Sequence, residues 1–248
     1  LIGIAFDPAG PTFRHKAYPQ YKAQRESTPE DIKKSIPIIK DIIDAYHIPV
    51  FETPGYEADD IIGTLANKAE SSEMRTFMVT PDKDYGQLVT QNILQWRPEQ
   101  GGHSLLGEND IIQKYGICRT SQVIDILGLM GDTADNIPGC PGVGEKTAKT
   151  LIEKYDSIKN IYEHIDELKG KLKERLVENK EQVLFSKFLV TIKTDVPLPF
   201  EPEKMKRQEG DKRALRRIFE KLEFNYFIKK ICGEEHGKEQ KTSESPVL

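Results

Sequence analysis

The chain opens on the apolar run LIGIAFD, residues 1–7, which predicts a buried strand ending at Asp7. Three further runs carry the same signature: IPVFE (48–52), RTFMVT (75–80), which stops just before Asp82, and ILQWR (93–97). Between the first two, the apolar positions change to a helical period. Ile32, Ile36, Ile39 and Ile43 share one face of a helix that runs to about Tyr46, with Pro37 expected to kink or split it. Thr28-Pro29-Glu30-Asp31 reads as its start: a Thr cap, Pro at the first helical position, and acids on the positive end of the dipole. Another helix is predicted over 57–70. Strands alternating with helices predict a mostly parallel α/β sheet, and from about residue 109 to about 230 the strand signals give way to helix. The expected domains are therefore an α/β core over 1–115, a helical region over 116–232 and a disordered linker over 233–248, the tail GEEHGKEQKTSESPVL being polar throughout.

Ligands of such sheets bind beyond the carboxyl ends of the strands, where Asp7 and Asp82 stand and where Glu57 follows closely. Acidic residues recur at these places: Asp7; Glu57, Asp59 and Asp60; Asp82 and Asp84; Asp132 and Asp135. Asp82 and Asp84 would point the same way in an extended stretch, and Asp132 and Asp135 would share one helical face. Glu57 and Asp59 would point ~200° apart in a continuous helix, so they serve one site only if Glu57 lies in the turn before it; Gly55 allows that turn. Each cluster taken alone also reads as ordinary capping of a helix start. Together, eight carboxylates at strand ends and turns suit hard divalent cations such as Mg²⁺ or Mn²⁺ and the hydrolysis of a phosphodiester between two of them.

Basic residues supply a second theme. Arg14, Tyr18, Lys22 and Arg25 are spaced for one face of a helix, with His15 and Lys16 nearby. This face could grip phosphates and stack a base, or simply be solvated; Pro19 argues against a regular helix, which DNA binding could induce. In NIPGCPGVGEKTAKTLIEKY (136–155), Gly142-Val143-Gly144 forms a turn that opens a helix, with Lys146, Thr147 and Lys149 in its first turns. Backbone N–H groups at such a start hold a phosphate without reading sequence, although a plain glycine-rich cap looks similar. The element has the form of a helix-hairpin-helix, and its glycine spacing is wrong for a Walker loop.

Composition narrows the class. At 248 residues, 37% hydrophobic and 31% charged, the chain can bury a real core. No apolar run approaches ~18 residues, so no membrane partner is expected. Three cysteines without ligand spacing suggest a reducing cytoplasm, no disulfide framework and no zinc site. A net charge of −4 disfavours a generic nucleic-acid coat but leaves local clusters free to act. Starting on Leu1 inside an apolar run, the chain reads as a fragment of a longer protein.

These motifs carry a resemblance. FDPAGPTFRHKAYPQYKAQR, PGYEADD, TPDKDYGQL, GLMGDTADNIPG, GVGEKTAKTL, VTIKTDVPL and LEFNYF occur in the order found in the 5′-nuclease (5′→3′ exonuclease) domains of the flap-endonuclease family, of the kind that stands at the N-terminus of bacterial DNA polymerase I. The resemblance covers residues 1 to about 230. It implies a PIN-like α/β core with a helical arch and a helix-three-turn-helix DNA-binding element. It implies structure-selective cleavage of 5′ flaps, nicked or gapped duplex and RNA primer–DNA junctions, in primer removal and repair. Two Mg²⁺ or Mn²⁺ sites are implied, formed by Asp7, Glu57, Asp59, Asp60, Asp82, Asp84, Asp132 and Asp135. Lys22 and Arg25 correspond to arch residues that contact the scissile phosphate, Arg14 and Tyr18 to other arch positions. Gly142, Val143, Gly144, Lys146, Thr147 and Lys149 correspond to the turn that holds duplex phosphates, with K⁺ bound there in many members. The implied setting is a bacterial cytoplasm at the nucleoid, as a monomer with a polymerase domain in the full-length chain.

The family's first strand, with a further metal-site Asp and an arginine-bearing segment, lies upstream of Leu1, and so does a glycine-rich wedge that seats the downstream duplex. Without them, the alternative expectation is a catalytically impaired fragment that binds DNA structures. A third reading is a related nuclease acting mainly on RNA, which substrates differing only in the 2′-OH would separate.

Overall fold

A computed structural model of the chain describes residues 1–233. Apart from Gly233, the expected linker lies outside the described residues. The elements in chain order are β1 (Ile4–Ala5), α1 (Phe13–Ala17), α2 (Glu30–Ala45), β2 (Val50–Phe51), α3 (Ala58–Ser71), β3 (Thr76–Val79), β4 (Ile93–Glu99), β5 (Gly102–Leu106) and α4 (Glu108–Tyr115). Then come α5 (Val123–Met130), α6 (Glu145–Tyr155), α7 (Ile158–Glu163), α8 (Gly170–Glu178), α9 (Lys180–Val190), α10 (Lys212–Lys221) and α11 (Asn225–Phe227). The chain is thus α/β and rich in helix, and among the described residues the strands all lie before residue 107.

Two compact units arise, neither continuous in sequence. The smaller comprises, among the described residues, 1–4, 28–50 and 202–233. Its core is Ala45, Leu215 and Phe219, with Ile42, Tyr46, Ile218 and Ile228 packed around them. α2 runs through Pro37 and begins one residue after Pro29, which is its cap. Of the predicted isoleucine stripe only Ile43 is buried, while Ile32 and Ile39 are exposed. At its C-terminal end α2 meets α10 through Ile42, Ala45 and Tyr46 instead.

The larger unit comprises residues 5–27 and 51–201 and holds every predicted site residue. Its strands are shorter than predicted. β1 and β2 have two residues each, and the chain crosses between units within both. The bonds Ile4 N–H to Pro49 O and Phe6 N–H to Phe51 O keep the same offset, so these strands run parallel. β3 pairs parallel with β4, and β4 pairs antiparallel with β5. This hairpin is unpredicted, because the exposed ends of ILQWRPE and GHSLL lack an apolar alternation. Among the described residues, the strands form two small sheets, β1-β2 and β3-β4-β5, in place of one.

Beyond the sheets the core is helical. The nearly all-apolar α5 is buried and packs on α6 and α9. Gly128 lets α9 approach: a side chain there would meet the Lys187 Cβ at 2.9 Å. Asp125 is buried on the same helix and accepts from the Lys187 ammonium and the Ile158 N–H.

Candidate active site and nucleic-acid interface

The first acids are arranged around the start of α3. Glu57 lies extended before the helix (φ −84°, ψ 161°), in the turn that Gly55 opens with a φ of 89°. Asp59 and Asp60 follow in the first helical turn, ~100° apart, and so take different surroundings. Asp60 is fully buried, and its carboxylate accepts from Arg14 Nη1 and Nη2, the Lys193 N–H and the Glu57 N–H, all at 2.8–3.0 Å. Four donors occupy its lone pairs, which corrects the expectation of a metal ligand: Asp60 is a structural carboxylate. Asp59 points to a different side and accepts from the Tyr85 hydroxyl at 2.7 Å. Exposed Asp7, just past β1, accepts from the Ala58 N–H at 2.8 Å and so stands at the same helix start.

The second group sits after β3. Asp82 caps a short 3₁₀ turn, Lys83–Leu88, accepting from the Asp84 N–H at 2.9 Å. Gln95 of β4, 1% exposed, donates to the carbonyls of Thr80 and Asp82 and locks the turn to the sheet. Gln87 ties the same turn to α9 and beyond through the Asp84 and Val190 carbonyls and the Ile192 N–H.

Asp132 and Asp135 lie in a tight loop rather than on the helix their spacing predicted. A two-way backbone bridge between Asp132 and Ile137 closes it. Gly131 (φ 72°) and Gly139 (φ 61°) cross so closely that a side chain on Gly139 would stand 2.3 Å from the Gly131 nitrogen. Asp132, 7% exposed, accepts from the Ala134 N–H and pairs with Lys83 at 2.8 Å. Asp135 accepts from the Tyr21 hydroxyl at 3.1 Å and pairs with Arg25.

The electrostatics mark these acids as short of positive charge. Burial, then the charges of Asp82, Asp132 and Asp135, push the Asp84 carboxyl up to about 7, with Lys83 acting against the shift. Burial, with Asp82 and Glu57, pushes Asp59 up to about 6 despite the Tyr85 hydrogen bond. Burial and Asp59 raise the Tyr85 hydroxyl in turn. One oxygen of Asp84 is buried with no hydrogen-bond partner. As placed, no three His, Cys, Asp or Glu side chains among the described residues come together to ligate an ion. The donor chemistry still fits a hard divalent cation: the groups are all carboxylate oxygens, mutually repelling, with one orphaned oxygen among them.

The basic segment is not one helical face here, in keeping with the argument from Pro19. α1 ends at Ala17, and Tyr18 is extended (φ −140°, ψ 93°) ahead of Pro19. Tyr18 is half-buried with its ring edge-on to Phe185 at 5.7 Å, so its aromatic face serves packing rather than base stacking. Arg14, 2% exposed, is spent inside the protein: besides Asp60 it binds Glu57 at 2.9 Å and the carbonyls of Leu189 and Thr191. Burial alone would lower its guanidinium, but Asp60 and Glu57 raise it overall. The expected phosphate contact is corrected to a structural one. Residues 20–25 lie along the Asp132 loop, through Gln24 to the Thr133 carbonyl, Arg25 to the Ala134 carbonyl and Asn136 to the Gln20 carbonyl. Lys22 holds a left-handed φ of 55°, fixed by its N–H on the Asp135 carbonyl and its ammonium on Glu57 at 2.7 Å. Lys22 and Arg25 thus stand directly over the acids.

The glycine turn forms as predicted. Gly142 has a φ of 74°, Val143 is buried at 4%, and Gly144 caps α6 with no side-chain hydrogen bond. The first N–H groups of α6 therefore lack intrahelical partners. Lys146 is exposed beside them, and Thr147 is half-buried in the first turn. Lys149 points elsewhere, to the Lys114 carbonyl at 2.7 Å and to Glu145 at 2.8 Å. The Arg175 guanidinium packs on the turn, 2.1 Å from where a Gly142 side chain would begin.

Tyr21, Lys83, Tyr85, Gln87, Gln95 and Arg175 escaped the sequence reading. Lys83 and Tyr85 flank named acids, so proximity alone could have flagged them. Arg175 and the two glutamines carry no local signal.

The arrangement has counterparts. Residues 1–116 match the model of the 5′-3′ exonuclease N-terminal resolvase-like domain, and residues 118–213 that of the 5′-3′ exonuclease C-terminal SAM fold. DNA polymerase I of Bacillus subtilis (strain 168) is 40% identical over 243 residues, 97% of this chain and 28% of that protein. The thermostable DNA polymerase I of Thermus thermophilus is 38% identical over 228 residues, 92% of this chain and 27% of that protein. The chain thus spans about a quarter of the length of these relatives. Among solved structures, T5 5′-exonuclease with bound divalent metal ions (zinc) superposes with a TM-score of 0.62 at 22% identity, covering 92% of this chain and 83% of that one. The catalytic core of Rad2 in complex with a DNA substrate does so with a TM-score of 0.60 at 15% identity, covering 92% and 76%. These two likenesses concern the fold. With its two domains matched in order along the sequence, the chain belongs to the 5′-3′ exonuclease family.

Proposed function

We propose that the chain is a divalent-metal-dependent 5′→3′ exonuclease and 5′-flap endonuclease that hydrolyses DNA phosphodiesters. The observation that carries this is the orphaned, buried oxygen of Asp84 among Asp82, Asp132 and Asp135, a site whose repulsion a divalent cation would relieve. Asp7, Glu57, Asp59, Asp82, Asp84, Asp132 and Asp135 would hold Mg²⁺ or Mn²⁺ in two sites. When bound, the cations supply Lewis acidity at the scissile phosphodiester and neutralise charge developing there.

The chain's own groups do the rest. Lys22 and Arg25 exchange their present acidic partners for the non-bridging phosphate oxygens and stabilise the charge that builds on them. Tyr85 orients Asp59 by hydrogen bond, and Tyr21 bridges Glu57 and Asp135. The Gly142–Gly144 turn and Lys146 anchor duplex phosphates at a distance from the cut, with K⁺ as an expected ion of that turn. Residues 1–115 act as the nuclease core and 116–232 as the DNA-binding region. The substrates are 5′-flap, nicked or gapped duplex and RNA primer–DNA junctions, in primer removal and repair. The setting is the bacterial cytoplasm at the nucleoid, as a monomeric unit linked to a polymerase domain. Among the described residues no helix is long and apolar enough to cross a membrane.

A labelled 5′-flap DNA incubated with the chain in Mg²⁺, Mn²⁺ or EDTA tests the reading. Cutting in either metal, and none in EDTA or with Asp84→Asn, is the expected result. Salt-sensitive binding without cutting in any condition would reduce the chain to a module that recognises DNA structures.

A further inference from the structure

We propose that Lys83 is a tethered counter-cation of the second acidic group, holding the place of a divalent ion and setting how tightly that ion binds. The inference rests on the reading that these acids bind divalent metal, and it assigns a role to a residue that touches neither phosphate nor reacting atoms.

Lys83 stands between Asp82 and Asp84 in the 3₁₀ turn and reaches across to the closed Asp132 loop. Its ammonium lies 2.8 Å from Asp132 Oδ2, and Asp132 is only 7% exposed. Among the described residues this is the one ion pair Asp132 makes; its other oxygen accepts the Ala134 N–H. The ammonium is thus paired with a nearly buried carboxylate of a loop distant in sequence.

The pairing is incomplete. The ammonium is paired with Asp132, and the neighbouring Asp84 keeps an oxygen with no donor. An ammonium offers three hydrogens to separate acceptors and cannot draw several carboxylates onto one centre. A small divalent ion can, with carboxylate and water oxygens at ~2.1 Å. The same site therefore accepts either cation, and the divalent one suits it better. The Lys83 side chain is 42% exposed, so its stem has room to swing outward as the ion enters. Without metal, Lys83 keeps the two acidic loops from repelling each other apart. With metal, the ion must displace it, which weakens binding and favours occupancy only when further ligands, such as a substrate phosphate, complete the shell. Lys83 is in this sense a positioning residue.

Mn²⁺ titration calorimetry on the parent chain, Lys83→Met, Lys83→Arg and Asp84→Asn tests the role, with thermal melting in EDTA alongside. Lys83→Met is expected to bind Mn²⁺ about tenfold more tightly, as one competing charge is removed, and to melt lower in EDTA. Lys83→Arg should restore the melting temperature and the weaker binding. Should Lys83→Met fail to fold, Lys83→Gln with its shorter polar side chain provides the same comparison. Equal or weaker Mn²⁺ binding by the neutral variant overturns the role of Lys83 while leaving the metal site standing. A parent chain that binds no Mn²⁺ beyond the level of Asp84→Asn overturns the metal reading itself.

Discussion

The Arg14 guanidinium and the Asp60 carboxylate meet side by side, Nη1 to Oδ2 and Nη2 to Oδ1 both at 2.8 Å, with neither side chain more than 3% exposed. This pair fixes the start of α3 to the Leu189–Thr191 segment and leaves Asp59, one residue earlier, facing Tyr85. A structural carboxylate and one proposed to hold metal are thereby separated by a single peptide bond.

Replacing the two neighbours should have opposite effects on stability. Asp60→Asn removes the bidentate partner of a buried guanidinium and leaves it Glu57 alone, at a cost of about 3 kcal/mol and roughly 10 °C in melting temperature. Asp59→Asn removes a carboxylate that its surroundings already disfavour, and should raise the melting temperature in EDTA while abolishing cleavage. Calorimetric melting of both variants checks the pair, and a stable Asp60→Asn would contradict the assignment.

The metal-free chain should lose stability as pH rises from about 4 to about 7. Asp59 and Asp84 titrate at about 6 and about 7 in the folded chain against an ordinary value near 3.8. Within that window the folded state holds more protons than the unfolded one, so the slope of unfolding free energy against pH is negative. Their contribution is complete below the unfolded value and is lost as pH passes through the folded ones. The exposed, hydrogen-bonded Asp156, Asp166 and Asp211 are lowered instead and act the other way only at more acid pH. Melting curves in EDTA across this range should therefore fall for the parent and flatten in Asp84→Asn. Saturating Mg²⁺ should flatten the parent as well, and a rising parent curve would refute the electrostatics.

Gly139→Ala should be among the costliest single-methyl additions in the chain. The new carbon would stand 2.3 Å from the Gly131 nitrogen, where only backbone could yield, and at a φ of 61°. A loss of about 2–4 kcal/mol is expected from overpacking and backbone strain. Because the loop carries Asp132 and Asp135, cleavage should fall with stability. Urea unfolding of the variant measures the first, and the flap assay the second.

Gly142→Ala tests the other end of the site. Its methyl would push the Arg175 guanidinium aside and strain a φ of 74°, in a turn exposed to solvent. Stability should fall by only about 1 kcal/mol. Duplex affinity should fall severalfold, while cleavage of a short single-stranded 5′ end changes little. Fluorescence anisotropy with duplex and single-stranded DNA separates these outcomes.

Much of this was legible in local sequence, for physical reasons. The strand–helix alternation, the glycine turn before α6 and the acids at strand ends depend on residues within a few positions of one another, whose periodicity and backbone preferences act locally. The strands were overestimated because an apolar run shows the capacity to be buried, not the pairing: Leu1 and Ile2 belong to such a run and are exposed. Pro19 already argued against a regular helix through Arg14, Tyr18, Lys22 and Arg25, but spacing has no knowledge of the Asp132 loop, more than a hundred residues away, on which this segment lies. The sequence alone determined that the chain carries carboxylates and lysines enough for metal-assisted phosphodiester chemistry. Only the tertiary structure decided which acid is which. Asp59 and Asp60 are chemically the same residue, and their surroundings diverge because Arg14 and Lys193, distant in the chain, supply donors to Asp60, while Asp59 meets the Tyr85 hydroxyl and lies among like charges.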